Sequence, residues 1–474
     1  MDIVTARKLG STDVLVVPLY EGDKAGGKLS AVDRVVGLSD ALERGEVSGK
    51  RFETAWLTGD GDVRNVLVVG AGKRSEEIGP VYGAAARAVR TRYASVSLLL
   101  RADADAGAAV EAFVAGDYEP DLHRSERSAS KVSSLTVIGT GDVRRACERA
   151  SAVADATTLA RDLVNEPPNE ITPTALAERA VAALEPAGVK VKVLKGNQLR
   201  RFGGLLGVAR GSDEPPVLIS MSWEPSRGRK APVLGLVGKG VTFDSGGLSL
   251  KPSEGMSWMK GDMAGGAAVI GAMRAIAELN VPLQVRAVVP ATENMPSGKA
   301  VRVGDVLKLY NGKTAEIMNT DAEGRLILAD ALAWLAEQGA THIVDAATLT
   351  GAVLVALGDC TIGVMGRPEV WVNRVLRAAR DAGERAWPLP LYPEYREQLR
   401  SDVADMRNIG GRNAGTITAA WFLAEAVPDG VEWAHLDIAG TAWGSERKPY
   451  RAAGATGSGV GPFVRLAETL AGRK

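Results

Sequence analysis

Short apolar runs separated by turn-forming residues recur along this chain, and their lengths sort them into strands and helices. Near the amino terminus, 13–17, 65–69, 95–100 and 135–138 read as strands, and the Ala-rich periodic stretch 81–92 reads as a helix. Such alternation predicts a small α/β domain. The stretch 146–164 reads as a helix that stops at Asn165-Glu166-Pro167-Pro168, because a residue preceding proline avoids the helical region. Thr172-Pro173 then has the form of a cap followed by a first helical proline, opening a helix to Leu184. Beyond it the pattern predicts strands at 233–237, 283–290 and 314–318, helices at about 265–278 and 326–336, and a buried strand at 342–346.

The expected fold class is therefore α/β with two domains. Residues 1–145 form a small N-terminal α/β domain with no chemistry assigned, 146–172 a connecting helix and linker, and 173–474 a larger catalytic domain. The latter is expected to hold a mostly parallel central sheet flanked by helices. A chain of 474 residues exceeds one ordinary core, which agrees with two domains. Lys+Arg and Asp+Glu both number 57, so no global charge draws the chain to nucleic acid or to a membrane surface. No apolar run approaches the roughly 20 residues of a membrane span. The start, Met1-Asp2-Ile3-Val4-Thr5, lacks the basic-then-apolar order of a secretory signal. Cys147 and Cys360 offer no disulfide framework, and the expected location is the cytoplasm.

The chemistry concentrates in two segments. Asn319-Thr320-Asp321-Ala322-Glu323-Gly324-Arg325 sets two carboxylates two positions apart beside a guanidinium. The intervening Ala suggests a local extended conformation in which both carboxylates point the same way. Upstream, Val237-Gly238-Lys239-Gly240-Val241-Thr242-Phe243-Asp244-Ser245-Gly246-Gly247 follows an apolar run and continues to Lys251, and Asp262 lies just before an Ala/Gly-rich helix that it could also cap. Catalytic residues of α/β proteins gather where such strands give way to loops. Lys239 does not fit a phosphate loop, since that pattern needs Ser or Thr after the lysine and Gly240 stands there. Val68-Val69-Gly70-Ala71-Gly72-Lys73 lacks the third glycine of a dinucleotide fingerprint and reads as a strand and a tight turn.

Three scattered histidines (His123, His342 and His435) and two cysteines do not supply a His-rich or thiolate metal site, and His435 reads as a core residue. Carboxylates remain as ligands. Asp244, Asp262, Asp321 and Glu323 crowded at one point would repel unless cations neutralised them, and two divalent ions balance the charge better than one.

Together these segments resemble the leucyl aminopeptidase family, the two-metal cytosol aminopeptidases. Asn165-Glu166-Pro167-Pro168-Asn169, Ala347-Thr348-Leu349-Thr350-Gly351 and His435-Leu436-Asp437-Ile438-Ala439-Gly440 match as well, so the resemblance covers roughly residues 155–474. It implies removal of N-terminal, Leu- or Met-like residues from peptides by a homohexamer. It implies two divalent ions, manganese or zinc, with Lys239, Asp244, Asp262 and Glu323 on the tightly held ion. Asp244, Asp321 and Glu323 would hold the exchangeable one. A hydroxide bridging the metals would attack, Lys251 would stabilise the oxyanion, and Arg325 would hold a bicarbonate as general base, cradled by the backbone near Leu349. Met259, Thr348, Gly351, Ala439 and Ala442 would line the pocket for the first side chain. Lys239 would have to be neutral to ligate, far below its reference pKa of about 10.4, whereas Lys251 would have to stay charged.

Two other readings stand beside this one. A two-metal phosphoesterase would use similar carboxylates but usually adds histidines. A DNA-binding or structural protein retaining the peptidase fold would need a basic stripe that the balanced composition does not announce.

Overall fold

The computed structural model describes residues 1–59, 61–225 and 229–472. Contacts divide the chain into two compact units, Met1–Thr158 with Ser445–Ala453, and Leu159–Gly444 with the chain from Gly454 onward. The division falls inside the helix Arg144–Asn165.

In the first unit six strands, β1 (Asp2–Ala6), β2 (Val14–Tyr20), β3 (Thr54–Thr58), β4 (Asn65–Gly72), β5 (Ser95–Leu99) and β6 (Ser134–Ile138), form one sheet in the order β1-β6-β5-β2-β4-β3. All neighbours are parallel except β3 and β4. Every residue of β2 is buried, with Val14 and Val16 in one apolar cluster and Leu15, Val17 and Leu19 in another. A parallel sheet covered on both faces requires such a continuous apolar run. The edge strands β1 and β3 were not legible in the sequence. Each buries at most one side, so Asp2–Ala6 and Thr54–Thr58 carry no such run. The helix Ala106–Asp117 was missed for a related reason: it is rich in Ala and Gly and shows little amphipathic contrast.

The second unit is built on nine strands. These are β7 (Lys190–Leu194), β8 (Val217–Trp223), β9 (Arg229–Gly238), β10 (Gly240–Asp244), β11 (Leu283–Asn294), β14 (His342–Ala347), β15 (Ile362–Arg367), β16 (Ala386–Pro388) and β18 (Glu432–Asp437). Their order is β16-β15-β18-β14-β9-β11-β8-β7, with β10 pairing β11. The centre, β18-β14-β9-β11, is parallel, while β8 on one side and β15 on the other join it antiparallel. The strand expected at 314–318 is shorter and lies elsewhere. It is β13 (Thr314–Glu316), in a separate small sheet between β12 (Val306–Lys308) and β17 (Met406–Arg407). The anticipated helices are present as Pro173–Leu184, Ala264–Glu278 and Gly324–Glu337, and Thr172 caps the first by accepting from Ala175 N at 3.3 Å.

Helix Gly324–Glu337 is fixed through a buried carboxylate, Asp330. It accepts backbone N–H groups from Leu205 at 3.0 Å and Tyr310 at 2.7 Å, and a further one from Gly204. Burial pushes its pKa up to about 7 against these donors. Replacing Asp330 by Ala would strand buried N–H groups, and the expected cost is about 3 kcal/mol of stability in denaturant titrations. Because the folded pKa lies above the unfolded one, the contribution of Asp330 is full below about pH 4 and declines as pH rises towards 7. The gap between wild type and Asp330→Ala is therefore expected to be wider at pH 5 than at pH 8. A gap that grows with pH would refute this account.

Candidate active site

The parallel strands deliver their chemistry at one end. Lys239 follows the last residue of β9, Asp244 ends β10, Asn294 ends β11, Thr348 follows β14 and Asp437 ends β18. That is the edge at which open α/β sheets form their ligand crevice. The helix Gly324–Glu337 points its amino end to the same place, with Glu323 at the cap position and Arg325 in the first turn. The partial positive charge of that helix end favours carboxylates and anions there.

The structure brings the expected residues together. Lys239 Nζ lies 2.7 Å from Asp262 Oδ2 and 2.7 Å from Glu323 Oε1, and donates to Thr348 O at 3.2 Å. Lys251 Nζ lies 2.9 Å from Asp244 Oδ2 and 2.5 Å from Asp321 Oδ1. Asp244, Asp262 and Glu323 offer oxygens within 4.8 Å of one another, the one such acidic cluster among the described residues. Asp321 stands outside this trio and is joined to it through Lys251.

Two details depart from the sequence reading. Asp321 and Glu323 do not share an extended segment: Asp321 sits in a turn, and Glu323 is already helical. Asn319 makes that turn by accepting Asp321 N at 2.8 Å through its side chain, a local bond that outcompetes extended backbone. Asp262 does not cap the helix Ala264–Glu278, because Met263 occupies that position. The Asp262 side chain instead accepts Thr348 Oγ1 at 2.7 Å through Oδ1 and turns Oδ2 to Lys239.

Glycine permits two of these approaches. A Cβ at Gly324 would lie 2.7 Å from Lys239 Nζ, so any larger residue would block the amine. Gly246 has φ of 87°, and a Cβ there would meet Asp321 Oδ1 at 2.8 Å.

The carboxylates differ in how much of each the protein already uses. Asp244 Oδ1 accepts Gly246 N at 2.9 Å and Asn294 Nδ2 at 2.8 Å, leaving Oδ2 for a cation. Asp262 likewise has one oxygen engaged by Thr348. Glu323 has neither oxygen engaged by a hydrogen bond of good geometry, and its Oε2 is buried without any partner. Burial holds Asp262 and Glu323 above the usual carboxylate range, and the charge on Asp244 adds to it, against the pull of Lys239. Buried anions of this kind are what a divalent cation relieves, and the oxygen-rich donor set suits one. Lys239 shows the complement. Burial lowers its pKa, but Asp262, Glu323 and Asp244 outweigh burial and raise it. With carboxylates alone it is an ammonium, and the neutral amine that the resemblance implies needs cations to take over that charge. Lys251 is raised in the same way, with burial opposed and outweighed by Asp244 and Asp321.

Arg325 is buried, and burial pushes its pKa down to about 10 against Glu323 and Asp437, so it remains charged at neutral pH. Its Nη1 donates to Asn408 O at 2.8 Å, while Nε has no partner. An unpaired buried guanidinium N–H fits a small anion. The expected pocket residues Met259, Thr348, Leu349, Gly351, Ala439 and Ala442 all line a cleft of about 510 Å³ that also reaches Lys239, Lys251, Asp321 and Arg325. Ile409 and Gly415, from the glycine-rich loop 409–415, line it too. His435 is a core residue, as expected. Its Nδ1 meets Asp345 at 2.5 Å, and Nε2 has no partner.

Sequence reasoning missed three residues that hold this geometry. Asn408 is buried, accepts Met318 N at 2.8 Å, and donates to Asn319 O at 2.7 Å, so it fixes the turn carrying Asp321 as well as Arg325. Asn294 donates to both Asp244 and Thr320 O, joining the two motif segments. Asp437 accepts Leu349 N, Ala439 N and Thr350 Oγ1, tying together two loops that line the cleft. The available signal was position: Asn294 and Asp437 end apolar strands as Asp244 does, and Asn408 immediately precedes the glycine-rich loop.

Residues 158–464 match the model of the cytosol aminopeptidase family, catalytic domain, and residues 16–127 match that of the same family's N-terminal domain. The probable cytosol aminopeptidase of Solibacter usitatus is 46% identical over 484 residues, covering 98% of this chain and 99% of the relative. Among solved structures, the bottromycin maturation enzyme BotP in complex with Mn is 37% identical, with a TM-score of 0.87, covering 97% of this chain and all of that one. A mutant tomato leucine aminopeptidase is 33% identical, with a TM-score of 0.89, covering 99% of this chain and 96% of that one.

Proposed function

The chain belongs to the cytosol aminopeptidase family and is a metallo-exopeptidase of the leucyl aminopeptidase kind, and on that footing we propose that it removes Leu- or Met-like apolar residues from the amino ends of peptides. The observation that carries the assignment of the site is the set of buried carboxylate oxygens on Asp244, Asp262, Asp321 and Glu323 that face only lysine ammonium groups or, at Glu323 Oε2, nothing.

Lys239, Asp244, Asp262, Asp321 and Glu323 would hold two divalent cations, manganese or zinc. Such ions supply Lewis-acid polarisation of a carbonyl and of water. Cations held by Asp244 and Asp321 would take over the charge that Lys251 now balances, leaving its ammonium for the substrate. It then stabilises the oxyanion that grows as the peptide carbonyl becomes tetrahedral, a contribution of about 3–4 kcal/mol for one donor. Arg325 would hold bicarbonate through its unpartnered Nε and its charge, and an anion held there would supply general-base chemistry beside the cleft. No histidine lines the cleft, so an anion fills the place of a protein base. Met259, Thr348, Leu349, Gly351, Ala439 and Ala442 surround the first side chain with an apolar, adaptable wall. The chemistry is assigned to the second unit alone. Assembly as a homohexamer and residence in the cytoplasm are inferred from family membership. No helix among the described residues is long and apolar enough to cross a membrane.

Chelation followed by re-addition of single metals tests the reading. Hydrolysis of leucinamide and methioninamide is expected to vanish on chelation and to return with manganese or zinc. Full activity in protein shown by elemental analysis to be metal-free would sink it.

A further inference from the structure

The motif Asn165-Glu166-Pro167-Pro168 has no part in the chemistry assigned so far. It closes the long helix Arg144–Asn165. The last carbonyls of a helix lack intrahelical donors and carry the negative end of its dipole. Pro167 and Pro168 bring no N–H, so the next two positions of the chain add no donor there. One of these carbonyls is met from elsewhere: Lys260 Nζ donates to Asn165 O at 2.6 Å. Asn165 is itself buried, and its side-chain oxygen accepts Ala455 N at 3.1 Å, so the acceptor is fixed.

Lys260 belongs to the short 3-10 helix Met256–Gly261, which presents Met259 and Gly261 to the cleft and leads into Asp262. None of residues 252–261 is buried, so core packing does not hold this segment. Its backbone bonds are local, from Met256 N to Ser253 O and from Trp258 N to Gly255 O. Among the described residues, the bond from Lys260 is the one hydrogen bond that ties 252–261 to a distant part of the chain. The ammonium also stands 5.7 Å from the centroid of the Trp443 ring, and a Cβ on Gly261 would meet Trp443 at 3.5 Å and Val164 at 3.7 Å. Lys260 does not line the cleft, whereas its neighbours on both sides do. Asp262, just beyond, has separate anchors in Thr348 and Lys239.

We propose that Lys260 is a positioning residue: by bonding the carbonyl end of helix Arg144–Asn165 it holds segment 252–261, and with it Met259, in place as a wall of the cleft. Its effect on catalysis rests on the aminopeptidase reading. A charged donor on a buried carbonyl is the strong kind of hydrogen bond, and here it acts on a segment with little else to fix it. Without it the segment samples other positions, and a substrate that leans on the wall binds only to the fraction of molecules in which the wall is in place. A substrate with a small first side chain does not reach that wall. The carboxylates on the floor keep their own anchors, so loss of Lys260 separates binding from metal retention.

Wild type, Lys260→Met, Lys260→Gln and Lys260→Arg form the test set, assayed on leucinamide and alaninamide, with metal content by elemental analysis and amide hydrogen exchange along the chain. In Lys260→Met the KM for leucinamide is expected to rise about tenfold, with kcat and metal content near wild type and the KM for alaninamide much less changed. Exchange over 252–261 is expected to quicken about tenfold while that of helix Ala264–Glu278 stays as in wild type. Lys260→Arg, which keeps a charged donor, should recover part of both effects. Exchange over 252–261 unmoved in Lys260→Met and Lys260→Gln overturns the proposal. So does an equal loss of kcat on both amides accompanied by loss of metal, which would make Lys260 part of the electrostatic frame of the cations. Failure of both variants to fold also overturns it, since Lys260 would then support the whole unit rather than one segment. Wild type that leaves leucinamide uncut defeats the aminopeptidase reading itself, and hydrogen exchange still decides whether Lys260 holds the segment.

Discussion

Glu323→Ala is expected to abolish leucinamide hydrolysis, with kcat/KM down at least about 10³-fold, or roughly 4 kcal/mol of transition-state stabilisation. The reason lies in how the carboxylates are employed. Asp244 and Asp262 each spend an oxygen on a neutral protein donor, whereas Glu323 meets only Lys239 Nζ through Oε1 and nothing through Oε2, so it would be the carboxylate most available to cations. Its removal also leaves Lys239 facing Asp262 as a self-contained pair, which lowers the negative charge available to a second ion. The same residue contributes little to holding the metal-free fold together, because burial and Asp244 disfavour its charged form. Metal-free Glu323→Ala and Glu323→Gln should therefore unfold at denaturant concentrations close to wild type while binding fewer metal ions by elemental analysis. Activity retained in metal-replete buffer, or a collapse of the metal-free fold, would overturn the assignment.

How much of this was legible in the sequence follows from what each residue does. The candidate ligands announce themselves, because carboxylates and lysines beside glycines at the ends of apolar runs have few other uses. Asp244 and Lys239 were found by that rule, and the parallel strands that carry them by their unbroken apolar runs. What stayed hidden is whatever depends on the partner rather than on the residue. Asn408 and Asn294 look like ordinary loop amides until the fold brings Asn319, Thr320 and Asp244 to them. The conformation of Asp321-Ala322-Glu323 was misread because alternation alone does not reveal that the Asn319 side chain would bond the Asp321 backbone and start a turn. Edge strands β1 and β3 were lost because an edge does not need to be apolar on both faces. Local chemistry is written in the chain, and long-range hydrogen bonding is not.

Arg325→Ala should separate the proton-moving apparatus from the metal-binding one. Among the described residues the guanidinium lies within ion-pairing distance of no carboxylate; its Nη1 donates to the carbonyl of Asn408, and its Nε has no partner. Metal content is therefore expected to stay at the wild-type level, with KM for leucinamide little changed and kcat reduced about 10²–10³-fold, the range of a lost general base. Arg325→Lys should not restore the rate. A single ammonium lacks the planar pair of donors that orients a carbonate-like anion, and in this buried position it would lose the bond that Asn408 now accepts. The decisive measurement is the response to bicarbonate. Wild type depleted of bicarbonate should slow and recover on its addition, and Arg325→Ala should recover only in part and only at much higher concentration. If wild type is indifferent to bicarbonate while Arg325→Ala is still slow and fully metallated, the guanidinium acts directly on the reacting groups and no anion is needed. If the variant loses its metals instead, Arg325 belongs to the electrostatic frame of the cations. Its buried, partnerless Nε argues for the bicarbonate-dependent outcome, because a donor kept out of water without an acceptor is costly unless a ligand is meant to reach it.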